Sequence, residues 1–357
     1  MKFSIIAALI AQGLSSVSCA TVPPSPRCKD QDGQDVEWFI IYKLPRMQTY
    51  QQNSFTPEGG EFAYVDARTS EATLRYWPLS GFDLYEAQNP VAFTLAPLYE
   101  NTTRKDILYF VYNDQSPPTY NGTRNGHSKG VVLFDDNVGV WLLHSVPRFA
   151  DGLQSGQYVF PETARENGQM FMCVTFPTPQ VDTIARLLRT EYANVYARQV
   201  PQAMKDKYPE VALLAKDSFV RALDQKLFIA NLTSEGGLAL RAYAKRATLD
   251  EDLYSGVLAN DLKDDLAVQS WRNGAGGKLP PACNSSYTVV NIDAILLRFD
   301  VDNSVTFNTT EDHSKWAITI DRDESQETRG GEALCFGNAA VQALFRRSAI
   351  VNEVCPV

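Results

Sequence analysis

Two stretches decide the fold: GHSKGVVLFDD at residues 126–136 and DHSKWAITIDRD at residues 312–323. Each holds His, Ser and Lys in succession, then five residues and Asp: His127, Lys129 and Asp135 in the first, His313, Lys315 and Asp321 in the second. The chain has three histidines in all, so two in one context mark a repeated functional motif. The residues after each lysine are apolar and β-prone, which predicts that each motif sits on a strand. In extended chain, residues i and i+2 point to the same face, so each His and Lys pair projects from one side of its sheet. One pair is half of a site. Two homologous halves facing each other across a pseudo-twofold axis bring both pairs to a single cleft.

Two imidazoles and two ammonium groups suit a phosphodiester. Imidazole can act as nucleophile or proton donor within a unit or two of pH 6. One neutral histidine attacks phosphorus and forms a phosphohistidine. The other, protonated, donates to the leaving alkoxide and then draws a proton from water. Lys129 and Lys315 bind the non-bridging oxygens and replace a metal, so neither a metal nor another cofactor is expected. Because one imidazole must be charged and the other neutral, the rate should be bell-shaped in pH. Asp135 and Asp321 are secondary candidates, since six residues of extended chain span about 20 Å and carry each carboxylate away from its own histidine. DDNVG from Asp135 on reads as a turn. His144, in VWLLHSVPRF, falls on the return strand of a hairpin turning near Asn137, close to Gly130. It reads as a partly buried histidine, with a supporting role beside His127 as the alternative.

Outward from these motifs, VEWFIIYKL, FAYVDA, ILYFVYN, GVVLFDD and VWLLHSV read as strands. Between Val181 and Val200, Ile184, Leu187, Leu188, Tyr192 and Val195 recur at helical spacing. A polar, lysine-bearing stretch near 201–210 follows, which divides the chain into an N-terminal half over 21–205 and a C-terminal half over 206–357. The first twenty residues read as a signal peptide: Lys2, an apolar run from Phe3 to Ala11, and small residues ending at Ala20. Five sequons, at Asn101, Asn121, Asn231, Asn284 and Asn308, agree with a secretory route as glycosylation sites. After removal of Lys2, 32 cations face 42 acids, a formal charge of 32 − 42 = −10. That sign is unusual for a DNA-binding surface, yet a sequence pI of about 5.0 removes the net repulsion of a polyanion in an acidic compartment. The acidic runs DEDL, KDDL and DRDE lack the glycine and terminal glutamate of a calcium loop and read as solvated surface. Five cysteines beyond residue 20 read as two disulfides and one leftover thiol.

Over nearly all of this length the chain resembles the deoxyribonuclease II family. The strings that carry the resemblance are VEWFIIYKLP, GGEFAYVDA, APLYENTT, YNDQSPP, GHSKGVVLFD, VWLLHSVPRF, EDLYSGVLAND, NTTEDHSKW and RGGEALC. The resemblance implies a mixed α/β, phospholipase D-like pseudodimer, two αβ halves with mixed sheets flanked by helices and one shared active site. It implies a lysosomal or secreted hydrolase that cleaves double-stranded DNA at acid pH without a metal, leaving 3′-phosphate and 5′-hydroxyl ends. His127, Lys129, His313 and Lys315 align with the family's catalytic motifs, and Arg329, Gly330 and Gly331 with its RGG segment. The family pattern pairs Cys28 with Cys173 and Cys283 with Cys355. Where relatives have cysteine after the second HSKW this chain has Ala317, which leaves Cys335 as a thiol or an intermolecular partner. Two other readings compete: a phospholipase D-like phosphodiesterase acting on a non-DNA ester, and a non-catalytic nucleic-acid-binding homologue. A membrane partner is not expected. A monomeric pseudodimer and a homodimer both remain open.

Overall fold

The computed structural model describes residues 24–47, 56–69, 74–100, 104–118, 125–271, 273, 280–320, 324–328, 331–352 and 355. Residues 1–20, expected to be a signal peptide, and Asn101, Asn121, Asp321, Arg329 and Gly330 lie outside the described residues.

The apolar runs fold into strands on both sides of the chain's midpoint. The first sheet is built from β1 (Trp38–Lys43), β2 (Glu61–Asp66), β3 (Leu79–Asp83), β4 (Leu108–Asn113), β5 (Lys129–Phe134), β6 (Val138–His144), β7 (Gln169–Pro177) and β8 (Val195–Gln199), in the order β3-β2-β1-β7-β6-β5-β4-β8. All its pairings are antiparallel. The second sheet takes β9 (Leu227–Thr233), β10 (Ala239–Lys245), β11 (Leu266–Ser270), β12 (Val289–Asn291), β15 (Lys315–Thr319), β16 (Glu324–Thr328) and β17 (Glu332–Gly337), in the order β12-β11-β15-β16-β17-β10-β9. Only β11 with β12 is parallel there. A small sheet of β13 (Ala294–Arg298), β14 (Ser304–Asn308) and β18 (Ala349–Ile350) sits beside it.

The two large sheets share a central plan. Five strands run β1-β7-β6-β5-β4 in one and β10-β17-β16-β15-β11 in the other. The lysine of each HSK motif is the first residue of the equivalent strand, β5 or β15. In each half the strand at the equivalent place leads directly into a helix: β7 into α2 (Gln180–Glu191), β17 into α6 (Ala339–Ser348). The other α-helices among the described residues are α1 (Pro90–Tyr99), α3 (Gln202–Lys207), α4 (Pro209–Leu214) and α5 (Ala259–Leu262). No helix among the described residues is long and apolar enough to cross a membrane.

Strand alternation sorts the core into layers. Trp38, Ile40 and Tyr42 of β1, Trp141 and Leu143 of β6, Trp316 and Ile318 of β15 and Leu334 and Phe336 of β17 meet in one central core, with Ile184, Leu187 and Leu188 of α2 and Leu344 and Phe345 of α6 between the sheets. The opposite faces bury Phe39, Ile41, Val131 and Leu133 on one outer side, and Tyr243, Val268 and Ala333 on the other. Strands buried on both faces read as unbroken apolar runs, which is why VEWFIIYKL and ILYFVYN stand out in the sequence. Because the central core draws side chains from both sheets, the halves fold as one body.

The helix expected across 181–200 stops at Glu191. Tyr192 takes a left-handed conformation with φ 65°, closing the helix through its N–H to Leu188. Val195 and the residues after it leave the helix to form the edge strand β8 against β4. The periodicity ran on because the β-branched and aromatic residues of β8 happen to continue it.

Cys28 is bonded to Cys173, joining the start of the described chain to β7, and Cys283 to Cys355. Cys335 is buried in β17 as a thiol. Ala317, Gln326 and Cys335 form one row across β15, β16 and β17. Position 317 is thus two strand spacings, roughly 9.6 Å, from Cys335, beyond the roughly 7 Å that a disulfide spans. The register does not make residue 317 the natural partner of Cys335.

Candidate active site

In both halves the strand begins at the lysine, so the histidine lies just outside the ladder, where its ring is not tied into the pleat. The two motifs are then held in different ways.

His127 follows Gly126, whose N–H bonds the carbonyl of Tyr192 at the end of α2. A Cβ at Gly126 would come within 2.2 Å of the Glu191 carbonyl, so only glycine lets the chain pass the helix end this closely. Beside it, Asp114 at the end of β4 bridges the motif: Oδ2 is 2.8 Å from His127 Nδ1, and Oδ1 accepts from Lys129 Nζ. The His127 side chain is 45% exposed, while Lys129 is fully buried. Burial alone would raise the Asp114 carboxyl, but the hydrogen bond from His127 and the charge of Lys129 outweigh it and hold the group well below the usual carboxylate range. The serine faces the other way: Ser128 Oγ donates to Glu191 Oε1 at 2.7 Å.

His313 is nearly enclosed, at 7% exposure. Its Nδ1 is 2.9 Å from the carbonyl oxygen of Ser145, at the end of β6 in the other sheet, and its ring meets Trp271 edge-on at 4.8 Å. Its N–H bonds the carbonyl of Gly168, and the N–H of Gly168 bonds the carbonyl of Glu311, so the segment docks on the residue just before β7. Lys315 Nζ donates to the His313 carbonyl at 2.6 Å. Here the residue preceding the motif supplies the carboxylate. Asp312 is wholly buried and accepts from Tyr42 Oη at 2.6 Å and Ser314 Oγ at 2.7 Å. Burial pushes its carboxyl up, against the pull of those two hydroxyls.

Sheet register brings the motifs to one end of the structure. Gly130 pairs with Leu143, so the next step of the ladder sets Lys129 beside His144, and Ser145 follows. Asn113 Nδ2 donates to the carbonyls of Val146 and Phe149 at 3.1 and 2.7 Å. Three consecutive links thus join the histidines: His127 to Asp114, Asn113 to Val146, and Ser145 to His313. Gly331 closes the arrangement from the second sheet. A Cβ on it would lie 2.7 Å from Glu191 Oε2 and 3.6 Å from the His127 amide nitrogen. Two tyrosines fasten the halves beneath: Tyr112 Oη donates to Glu332 at 3.1 Å while accepting from Trp141, and Tyr42 Oη accepts from Trp316 while donating to Asp312.

Not every sequence candidate reaches this end. Asp135 stands at the far end of β5, where its Oδ1 caps the turn by accepting from the N–H of Asn137 and Val138 at 2.8 and 2.9 Å. As a candidate for the site it is corrected by this position; the turn composition of DDNVG explains it fully. His144 is buried between the rings of Phe149 and Phe171, with Nδ1 accepting from the Val146 N–H. Of the sequons within the described residues, Asn231, Asn284 and Asn308 are exposed. Sequence reasoning passed over Asp114, Asp312, Tyr42 and Trp271. Asp114 and Asp312 lie within YNDQSPP and NTTEDHSKW, but nothing local tells a carboxylate that reaches a histidine from one that caps a turn.

The sequence profile of the deoxyribonuclease II family matches residues 27–355. This chain belongs to that family. It is 33% identical to plancitoxin-1 of Acanthaster planci over 92% of each chain. It is 32% identical to deoxyribonuclease-2-alpha of Sus scrofa over 92% of this chain and 90% of the relative. Identity to cell-death-related nuclease 7 of Caenorhabditis elegans is 30%, over 92% of this chain and 88% of that one.

Proposed function

We propose that this protein is a secreted or lysosomal acid endonuclease that hydrolyses double-stranded DNA to 3′-phosphate and 5′-hydroxyl ends, without a metal, at a site formed by His127, Lys129, His313 and Lys315. The observation that carries the reading is the convergence of both HSK motifs, from two sheets of like plan, on one end of the protein.

The hydrogen bonds support different tasks for the two histidines. A carbonyl oxygen can only accept, so His313 carries its proton on Nδ1 toward Ser145, and Nε2 holds the lone pair. Enclosed by Trp271 and tied to a neutral group, this ring is the nucleophile: Nε2 bonds to phosphorus as the bond to the 5′ oxygen breaks. His127 faces solvent with its Nδ1 on the Asp114 carboxylate, an arrangement that favours the imidazolium. It is the general acid that protonates the leaving 5′ oxygen. It then takes a proton from water, whose oxygen displaces His313 and leaves a 3′-phosphate. Lys129, joined to His127 through Asp114, and Lys315, bonded to the His313 carbonyl, lend their positive charge to the non-bridging oxygens. Asp114 orients and charges His127 without touching substrate. The division of the chain near residue 205 fits this reading, since each half contributes one motif.

A plasmid digest in EDTA across pH 4 to 8, with end-group analysis, tests the proposal. It expects a bell-shaped rate with its maximum on the acid side and 3′-phosphate ends. Activity that requires an added divalent ion, or 5′-phosphate ends, would refute it.

A further inference from the structure

Outside the His–Lys cleft, the described arginines are mostly matched to carboxylates: Arg27 with Glu235, Arg104 with Asp106, Arg189 with Glu210, Arg241 with Asp261. A cavity of about 270 Å3 breaks that pattern, because Arg75, Arg298 and Arg347 all line it. None of the three has a carboxylate within ion-pair distance among the described residues. All three are exposed, on a protein whose formal charge is −9.

The frame of this cavity is firm. Arg298 ends β13 and Arg347 belongs to the last turn of α6. The N–H of Trp77 bonds the carbonyl of Arg298 at 2.8 Å, Trp77 Nε1 donates to Ser348 Oγ at 2.9 Å, and Arg347 Nη2 donates to the Leu74 carbonyl at 2.7 Å. Tyr76 and Leu296 supply an apolar wall. Three guanidinium groups around one hollow repel each other until an anion enters, and their planar forks match phosphate oxygens. At about 30 Å3 per water, the hollow holds roughly nine waters, enough for a phosphate with its sugar and too little for a folded partner.

We infer that this cavity is a second phosphate-binding site, separate from the His–Lys cleft, that takes a backbone phosphate of the nucleic-acid strand and holds the substrate. The inference rests on the reading of the protein as a DNA-cleaving enzyme and names a part of how it grips DNA. Trp77, on the cavity wall, lies 6.1 Å between ring centroids from Tyr42, whose hydroxyl is 2.6 Å from the carboxylate of Asp312, the neighbour of His313. Two buried aromatic side chains thus lie between the cavity and the carboxylate beside the second motif. A strand phosphate fits better than a free one because the apolar wall of Tyr76 and Leu296 can receive a sugar, whereas a free ion would use the arginines alone.

The test is the double variant Arg75→Gln with Arg298→Gln, chosen because neither side chain caps the main chain. Fluorescence anisotropy of a labelled duplex of about 30 base pairs, titrated over a range of salt with the two arginine changes placed in a His313→Asn background and compared with His313→Asn alone, reports binding without turnover. Hydrolysis of bis(4-nitrophenyl) phosphate, too small to span both places, reports the chemistry. The expected result is a loss of duplex affinity of about tenfold or more. The slope of log affinity against log salt should shrink by about one, because a single phosphate contact is removed. Diester turnover and melting temperature should match those of the wild type. Unchanged duplex affinity and slope would overturn the inference. So would inorganic phosphate quenching tryptophan fluorescence in the wild type and not in the variant while duplex affinity stays the same, because the cavity would then serve a small ion. If the wild type cut neither plasmid nor diester, the reading of the protein as a nuclease would fall instead, and anisotropy would still judge the cavity.

Discussion

Replacing Asp114 by asparagine keeps the shape of the group and removes the charge that His127 and Lys129 share. Two separate effects follow. Lys129 is fully buried, and removing a carboxylate that pairs with a buried ammonium costs about 3 kcal/mol. The sign of the pH dependence is set by the depressed carboxyl of Asp114. The wild type's advantage over the variant is complete above the ordinary aspartate value of 3.8 and fades only as pH falls through the lower folded value. At pH 5 the penalty should therefore be present in full, measurable as a lower urea midpoint. The catalytic effect is distinct: without a carboxylate on Nδ1, His127 gives up its proton at lower pH. The basic limb of the rate profile should move acidward, and the maximal rate on plasmid in EDTA should fall by about 10² to 10³ through loss of an oriented general acid. The small diester, whose 4-nitrophenolate leaving group needs little protonation, should lose much less. A variant with the wild-type basic limb and a rate within threefold would refute the role given to Asp114. A change in stability alone would make Asp114 merely structural.

Other perturbations follow the same logic. Lys43 is buried among the carbonyls of Leu44, Arg165 and Asn167, and burial pushes its ammonium down to about 7. Because the unfolded chain binds this proton up to about 10.5, the wild type should gain stability relative to Lys43→Met as pH rises from 7 to 10, with no change in the difference below pH 7; a difference flat across that window contradicts the assignment. Tyr42→Phe removes a donor from the buried Asp312 and should cost about 1 to 3 kcal/mol while lowering activity through His313, visible in parallel melts and plasmid assays. Replacing both Cys28 and Cys173 by serine opens a connection of 145 residues and should cost about 4 kcal/mol, read from denaturant titration.

Much of the fold was legible because its strands are buried on both faces. β1, β4 and β5 carry apolar side chains at every position that reaches a core, so the sequence signal is continuous and needs no partner to be recognised. The repeat was legible for a different reason: histidine is rare here, and two copies in one context stand out. Long-range partners were the illegible part. Asp114 reaches His127 across the pairing of β4 with β5, and Ser145 reaches His313 from another sheet. Neither relation has a fixed spacing along the chain. Strand periodicity also misled at His313 and His127, which precede their strands and are aimed by Ser145 and Asp114 rather than by the pleat. Asp135 shows the converse, since the fixed spacing from histidine suggested a shared role where turn chemistry was the cause.

Substituting each histidine of the repeat by asparagine, singly, and measuring plasmid nicking at pH 5 in EDTA tests the joint site most directly. The account predicts that His127→Asn and His313→Asn each lose at least about 10³ of the rate with melting curves close to the wild type, and that mixing the two variants restores nothing. Either variant cutting DNA at the wild-type rate would contradict a single site built from both motifs.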